Sequence, residues 1–327
     1  MAYDQKTLRR AKRRYEELVA AHENDLIRRR QRVREEIPRL GEIDRELRST
    51  VIGAINAALH HGDDAETRIL AIKDVNLELQ REQAEILTMN GYPFNYLADV
   101  PMCEECEDTG FVGKKMCSCL AKLYEEEQKK ELAKSIDLAY STFDHFVFSY
   151  YSDIPDPRIG VSARDNIGYI FDTCNDFARS FGRHSDNLLM QGSSGLGKTF
   201  LAGCIANVVV ESGFSVLYES ACSLFARIDA DRFRREEDES GIDIERYLNC
   251  DLLILDDLGT ESMTNYGMTM LYRLINTRKT NKKQCIVITG LSQDELRRRY
   301  GPQIASRLEG EYTALRFFGE DVRKLTK

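Results

Sequence analysis

From about residue 160 onward, short apolar runs alternate with longer stretches whose apolar residues recur at three- and four-residue spacing. The second pattern suits helices with one buried face, the first suits strands. Val161 to Phe181 reads as a helix and 187–191 as a strand. Thr199 to Val210 reads as a helix, Ser215 to Tyr218 as a strand and Ser223 to Arg235 as a helix. Residues 252–255 form the next strand, 265–281 the next helix, and Cys285 to Thr289 a further strand. These strands are apolar throughout rather than in alternation, as expected where both faces of a sheet are covered. The order predicts an α/β fold with a parallel, doubly wound sheet flanked by helices.

Upstream the pattern changes. Residues 1–90 are rich in Arg and Glu, with Leu18, Leu26, Val33, Ile37 and Leu40 spaced to line one helical stripe. Packing or partner binding is the ordinary role of such a region. Gly91-Tyr92-Pro93-Phe94 marks a break. A cysteine-rich segment follows at 101–120, then a charged helix from Leu120 to Lys134, and a connecting loop with two prolines from Tyr150 to Ile159. The expected domains are a helical region at 1–95, a cysteine-rich segment with its linker helix at 96–135, and an α/β domain at 136–327.

The most specific chemistry lies between the first strand and helix of that domain. Gly192, Ser193, Ser194, Gly195, Leu196, Gly197, Lys198 and Thr199 fit G-x-x-x-x-G-K-[ST] at every fixed position. The glycines let backbone N–H groups turn around a polyphosphate at a helix N-terminus. Lys198 can reach the outer phosphates, and the Thr199 hydroxyl can sit on Mg²⁺. A metal partner follows in Leu252-Leu-Ile-Leu-Asp256-Asp257, an apolar strand ending in two carboxylates in the Walker B layout. Asp256 would hold Mg²⁺, and Asp257 would orient or deprotonate the attacking water. The bland alternative is a solvated acidic turn.

Composition narrows the class. A chain of 327 residues has room for about two domains. No apolar run approaches the ~18 residues of a membrane span, and the basic N-terminus has no apolar segment behind it to make a secretory signal. Nine cysteines without such a signal point to a reducing cytoplasm. The net charge of −8 argues against wholesale coating of nucleic acid, although residues 1–50 carry 14 Lys and Arg against 10 Asp and Glu.

Cys103-x-x-Cys106 and Cys117-x-Cys119 gather four thiols, a donor set suited to tetrahedral Zn²⁺ in a structural role. Gly110 and Gly113 would turn the loop back between the pairs. His145 is the nearest histidine should one ligand be replaced, and reduced surface thiols are the competing reading. Cys174, Cys204, Cys222, Cys250 and Cys285 sit among apolar positions and read as small core residues.

Taken together, GSSGLGKT, LLILDDLGTE at 252–261, ASRLEG at 305–310 and FFGEDVRK at 317–324 resemble the bacterial replicative helicase loaders of the DnaC/DnaI type. These are AAA+ ATPases related to IstB-type transposition ATPases. The resemblance covers about residues 100–327, and the Cys segment resembles the metal-binding stretch ahead of the core in DnaI-like proteins. It implies ATP as the nucleotide and a slow hydrolysis, since Asp257 stands where many such ATPases have Glu. It implies an arginine finger at Arg307, reaching the nucleotide of a neighbouring subunit in a homo-oligomer, and a sensor arginine at Arg323 acting within its own subunit. Residues 1–90 would grip a DnaB-type replicative helicase.

One departure stands out: Gly290 occupies the position where the family commonly has a polar Asn, so Thr289 or Ser292 would have to substitute, or hydrolysis is weakened. Contact with single-stranded DNA is implied near Phe225 to Arg235 and Thr260 to Tyr266. There Phe233 and Tyr266 offer rings, and Arg232, Arg234 and Arg235 offer charge. The alternative is a core Phe225 with the arginines paired to Glu236, Glu237 and Asp238. Three functions stay open: an ATP-dependent helicase loader, a transposition helper ATPase, and a nucleotide-binding adaptor with little turnover.

Overall fold

The computed structural model describes residues 3–59, 65–135, 140–182, 185–231 and 244–324. The chain divides into two compact units, one of Met1–Lys12 with Ala121–Lys327 and one of Arg13–Leu120.

In the unit Arg13–Leu120, helix α1 (Gln5–Glu36) gives way to α2 (Pro38–Leu59) at a proline that opens the second helix. Helix α3 (Ala65–Met89) pairs with α2. Val33, Leu40, Ile43, Leu79 and Leu87 form their common core. Leu26, Val33 and Leu40 of the predicted stripe are buried, but Leu18 is exposed and is not part of it. Arg39 of α2 bridges to Glu82 of α3 at 2.8 Å and to Glu42 and Glu46 on its own helix. A hairpin of β1 (Phe111–Val112) and β2 (Lys115–Met116) follows. Gly110 and Gly113, both at positive φ, bracket its first strand.

The second unit is the α/β layer structure. Strands β3 (Asn187–Gln191), β4 (Val216–Ser220), β5 (Leu252–Leu258), β6 (Gln284–Thr289) and β7 (Tyr312–Arg316) lie parallel in the order β4-β5-β6-β3-β7. Alternate residues of each strand serve opposite layers. Leu188, Met190, Val216, Tyr218, Ile254, Ile286 and Leu315 face α5 (Ala163–Arg179) and α6 (Lys198–Glu211). Leu189, Leu217, Leu253, Leu255 and Val287 face α7 (Ala221–Asp231), α8 (Ile244–Asn249), α9 (Asn265–Thr280) and α10 (Gln293–Gly310). The first residues of α1 and the end of α4 (Ser118–Leu132) also belong to this unit, through Asp4 on Arg246 at 2.7 Å and Arg10 on Glu131 at 3.1 Å.

Helix starts follow their sequence signals. Ser162 caps α5, Thr264 caps α9, and Ser292 with Glu295 makes a capping box on α10. Gly301 at φ 77° and Pro302 break α10 into two segments, since proline has no N–H to continue the ladder. Sequence periodicity missed β7, α8, α10 and the small hairpin.

Below the sheet, Arg278 of α9 is 1% exposed. Its guanidinium donates to the carbonyls of Tyr247, Cys250, Asp251 and Gln284, and so ties α8, β5 and β6 to one side chain. Arg278→Leu would take the guanidinium donor away from these buried carbonyls, at a cost of about 3 kcal/mol or more. Urea unfolding of the variant should show that loss; a change under ~1 kcal/mol would mean that the carbonyls find other donors.

Candidate functional site

The loop after β3 begins with Gly192 at φ 151° and continues through Gly195 at 80° and Gly197 at 86°. Gly197 opens α6 with no side-chain cap, so the first N–H groups of the helix stay available to an anion. Lys198 folds back over the loop, its Nζ donating to the carbonyls of Gly192 at 2.7 Å and Ser193 at 2.6 Å. Burial lowers its pKa, while Asp256 and Asp257 pull the other way. Both acceptors are neutral, so the ammonium retains a full charge to offer a phosphate.

Strand β5 brings its two carboxylates to the same point. Thr199 Oγ1 donates to Asp256 Oδ2 at 2.9 Å, and the Tyr218 hydroxyl donates to the same oxygen. The other oxygen, Oδ1, accepts the N–H of Asp257 at 2.7 Å. The pairing of β5 with β6 shifts register between Leu255 and Leu258, and Asp257 takes φ 54°, a left-handed conformation that aspartate tolerates better than most residues. That kink leaves Asp256 buried and turns Asp257 out to solvent. Burial and then the neighbouring Asp256 raise the pKa of Asp257, as suits a proton acceptor.

A third wall comes from the segment after β7. The N–H of Phe317 donates to Gln191 O at 2.7 Å, and that of Val322 donates to Gly195 O at 2.9 Å. Asp321 accepts the Nε and Nη2 of Arg323, both at 3.0 Å, and Arg323 Nη2 also donates to Ser194 Oγ at 2.9 Å. The hydroxyl of Tyr151 donates to Leu196 O at 3.2 Å and lies 2.6 Å from where a Cβ on Gly197 would fall. Beside the loop opens a cavity of about 830 Å³, lined by Gly192, Ser193, Leu291, Ser292, Arg316 and Phe318 among others.

Neither suggested substitute for the missing polar sensor is free. Thr289 is fully buried and donates to Leu258 O at 2.6 Å; the Ser292 hydroxyl is held in the capping box by Glu295 at 2.7 Å. Arg307 is not brought to the loop. It donates to Glu311 at 3.1 Å and to the Tyr272 hydroxyl at 3.3 Å, with its guanidinium 5.2 Å from the centre of the Tyr272 ring.

In the other unit, Cys103, Cys106, Cys117 and Cys119 converge with all four sulfurs within 4.8 Å of one another. Sγ of Cys103 lies 3.7 Å from that of Cys117, and Sγ of Cys106 lies 3.5 Å from that of Cys119. Tetrahedral Zn²⁺ with Zn–S of about 2.3 Å needs sulfurs about 3.8 Å apart, so the set fits this ion, whereas a disulfide needs about 2.05 Å. Burial opposes ionisation of Cys106, but the Tyr15 hydroxyl and the Gly110 N–H outweigh it and hold the thiol at about 6. A backbone N–H favours the Cys117 thiolate, yet burial and the Glu105 carboxyl prevail and push it up to about 12. Four convergent sulfurs are a natural ligand set for a dication. His145 sits in the turn Phe143–His145 with Nδ1 against Thr142 Oγ1 at 3.0 Å, and the four thiols need no substitute.

Residues 175–303, a span that begins in α5 and takes in the loop and both carboxylates, match the family model described as IstB-like ATP binding protein. This segment is similar to IstB-like ATP-binding domains. The replicative helicase loader DnaC of Buchnera aphidicola subsp. Baizongia pistaciae (strain Bp) is 24% identical over 154 residues, 46% of this chain and 61% of that protein. The replicative helicase loader DnaC of Escherichia coli (strain K12) is 24% identical over 136 residues, 40% of this chain and 54% of that protein. The chain therefore spans little more than half the length of these relatives. A crystal structure of the DnaC helicase loader is 20% identical, covering 56% of this chain and 100% of that one, with a TM-score of 0.45. No described helix is long and apolar enough to cross a membrane.

The structure gathers Gly192 to Thr199, Asp256, Asp257 and Arg323, and it leaves Arg307 apart. One expectation is corrected: Cys222 is exposed rather than core. Phe225 is 1% exposed and is core, as the alternative to DNA contact had it. Tyr266 packs half-buried against the core. Arg232, Phe233, Arg234, Arg235, Glu236, Glu237 and Asp238 lie outside the described residues. Sequence reading missed Tyr218, Asp321 and Tyr151. The string GEDVR put Asp321 two positions from Arg323, a usable signal, but nothing local marked the two tyrosines.

A Cβ on Gly195 would lie 1.8 Å from Asp321 Oδ1, on a residue already at positive φ. Gly195→Ala should therefore expel the segment 319–323 from the loop. Hydrogen exchange should then show the Val322 amide losing its protection, and retained protection would mean that the loop yields instead.

Proposed function

We propose that this chain is an AAA+ ATPase that loads a DnaB-type replicative helicase onto single-stranded DNA. The observation that carries the ATP part is the bond between Thr199 and Asp256, which joins the phosphate loop to the metal-binding strand of an IstB-like ATP-binding domain. In this reading the N-terminus of α6 and Lys198 bind the phosphates. Thr199 and Asp256 hold Mg²⁺, which would neutralise charge on the phosphates. Asp257 orients the attacking water and accepts its proton. Arg323, aligned by Asp321, touches the phosphates within the subunit. Arg307 is delivered to the nucleotide of a second copy, so turnover needs a homo-oligomer, and release from Glu311 and Tyr272 would precede its action.

The loader reading rests on the two relatives that bear that name and on the motifs at 305–310 and 317–324. Residues 1–95 would grip the helicase, residues 96–135 would carry one structural Zn²⁺ on the four cysteines, and residues 136–327 would be the ATPase. The family description favours a second reading, a transposition helper of the IstB kind. The committed hydroxyls of Thr289 and Ser292 favour weak turnover, with ATP binding as the switch between assembled and released states.

Lys198→Ala should abolish binding of a fluorescent ATP analogue, and an unchanged Kd would refute the site. Arg307→Ala should leave nucleotide binding by the isolated chain intact while lowering steady-state turnover at least tenfold in the assembled state. Elemental analysis should find about one zinc per chain, with Cys106→Ser losing it and the fold around α1 loosening; well-folded, metal-free protein would remove the metal centre. With ATP present, the protein should co-elute with a DnaB-type helicase. Association with a transposase in its place would favour the second reading.

A further inference from the structure

Tyr218 has no part in the mechanism above, yet its hydroxyl ends on the carboxylate that would hold the metal. It stands on β4, an edge strand, opposite Ile254 of β5, while Asp256 stands opposite Ser220. Tyr218 and Asp256 are thus diagonal neighbours on one sheet face, two residues apart along the strand direction, a span that a long aromatic side chain covers. The ring is buried at 8% exposure against the α5–α6 layer, with Val216 and Ile254 in the same cluster, so its direction is set by packing.

The carboxylate of Asp256 is held from three sides. Thr199 and Tyr218 donate to Oδ2, and the N–H of Asp257 donates to Oδ1. Thr199 stands in the first turn of α6, directly after the phosphate loop. The Asp257 amide sits on the kinked left-handed turn at the end of β5. Among the described residues, Tyr218 alone reaches the carboxylate from a neighbouring strand. A metal-binding carboxylate keeps its rotamer only as well as its outer hydrogen bonds hold it.

We propose that Tyr218 is a positioning residue for the Mg²⁺ of the nucleotide site, fixing the Asp256 carboxylate in a metal-competent orientation before nucleotide arrives. This rests on the Mg–ATP reading of the site. Tyr218 touches neither nucleotide nor metal; it acts through Asp256. Its loss should therefore appear in the dependence of nucleotide binding on Mg²⁺ and not in binding without metal.

The test compares wild type with Tyr218→Phe, which removes one oxygen and keeps the ring. Affinity for a fluorescent ATP analogue is measured across a Mg²⁺ titration and again in EDTA, with thermal unfolding of both nucleotide-free proteins alongside. The Mg²⁺ midpoint should rise about tenfold in the variant, in the range typical of outer-sphere partners, while affinity in EDTA stays equal and excess Mg²⁺ restores binding. Equal midpoints would overturn the inference, as would a parallel loss in EDTA. If wild type itself shows no Mg²⁺-dependent binding, the nucleotide reading fails first. Should the variant not fold, 3-fluorotyrosine introduced at position 218 keeps the hydroxyl. Its fluorine resonance should shift when Mg²⁺ is added to the nucleotide-bound protein, and a fixed resonance would overturn the inference.

Discussion

The Asp256 carboxylate is where three parts of the sheet meet. Strands β3 and β5 are not neighbours, because β6 lies between them. For Thr199 after β3 to reach Asp256 on β5, the chain must cross the carboxyl end of β6 without obstruction. Strand β6 ends at Thr289, and Gly290 follows, where an added Cβ would meet only Gly192 O at 3.8 Å. Thr289 hydrogen-bonds the backbone of Leu258 and so fixes the far side of the bulge that sets Asp256 and Asp257 apart. Thr289 is thus committed to the sheet, and Gly290 offers no side-chain polar group at the crossing.

Charge around that crossing is balanced by geometry. Lys198 and Arg323 face Asp256 and Asp257 across the loop; the two carboxylates favour the charged form of Lys198, and the two cations favour that of Asp257. Arg323 is tied to Asp321, so its planar guanidinium is aimed by a bidentate pair before any phosphate arrives. The pair is largely exposed and adds little stability; its value is direction. Arg307, held in the opposite layer by Tyr272 and Glu311, makes the contrasting case of a cation kept away from the loop of its own chain.

Much of this was legible in the sequence because it is local. The loop motif, the helix after it and the doubly acidic strand end lie in continuous strings, and continuous apolar runs identified β3, β5 and β6. What was lost is long-range. Strand β7 reads Tyr-Thr-Ala-Leu-Arg, too mixed for a buried strand, because it lies at the sheet edge with Thr313 and Ala314 exposed. Tyr218 looked like one more apolar residue, and only the register of β4 on β5 brings its hydroxyl to Asp256. Leu18 fitted a helical stripe by spacing yet is exposed, since spacing names a face without saying that anything covers it. The four thiols, by contrast, were readable in full, for their separation along the chain is short enough to dictate their meeting.

Strand β7 lies against β3, and Phe317 donates to the backbone of Gln191 just ahead of the phosphate loop. The wall of the cradle is therefore made by residues translated long after the loop itself. While the nascent chain still lacks them, β3 has an open edge and Ser194 has no Arg323 beside it. The wall beside Ser194 is thus complete only once β7 and the segment behind it have been made.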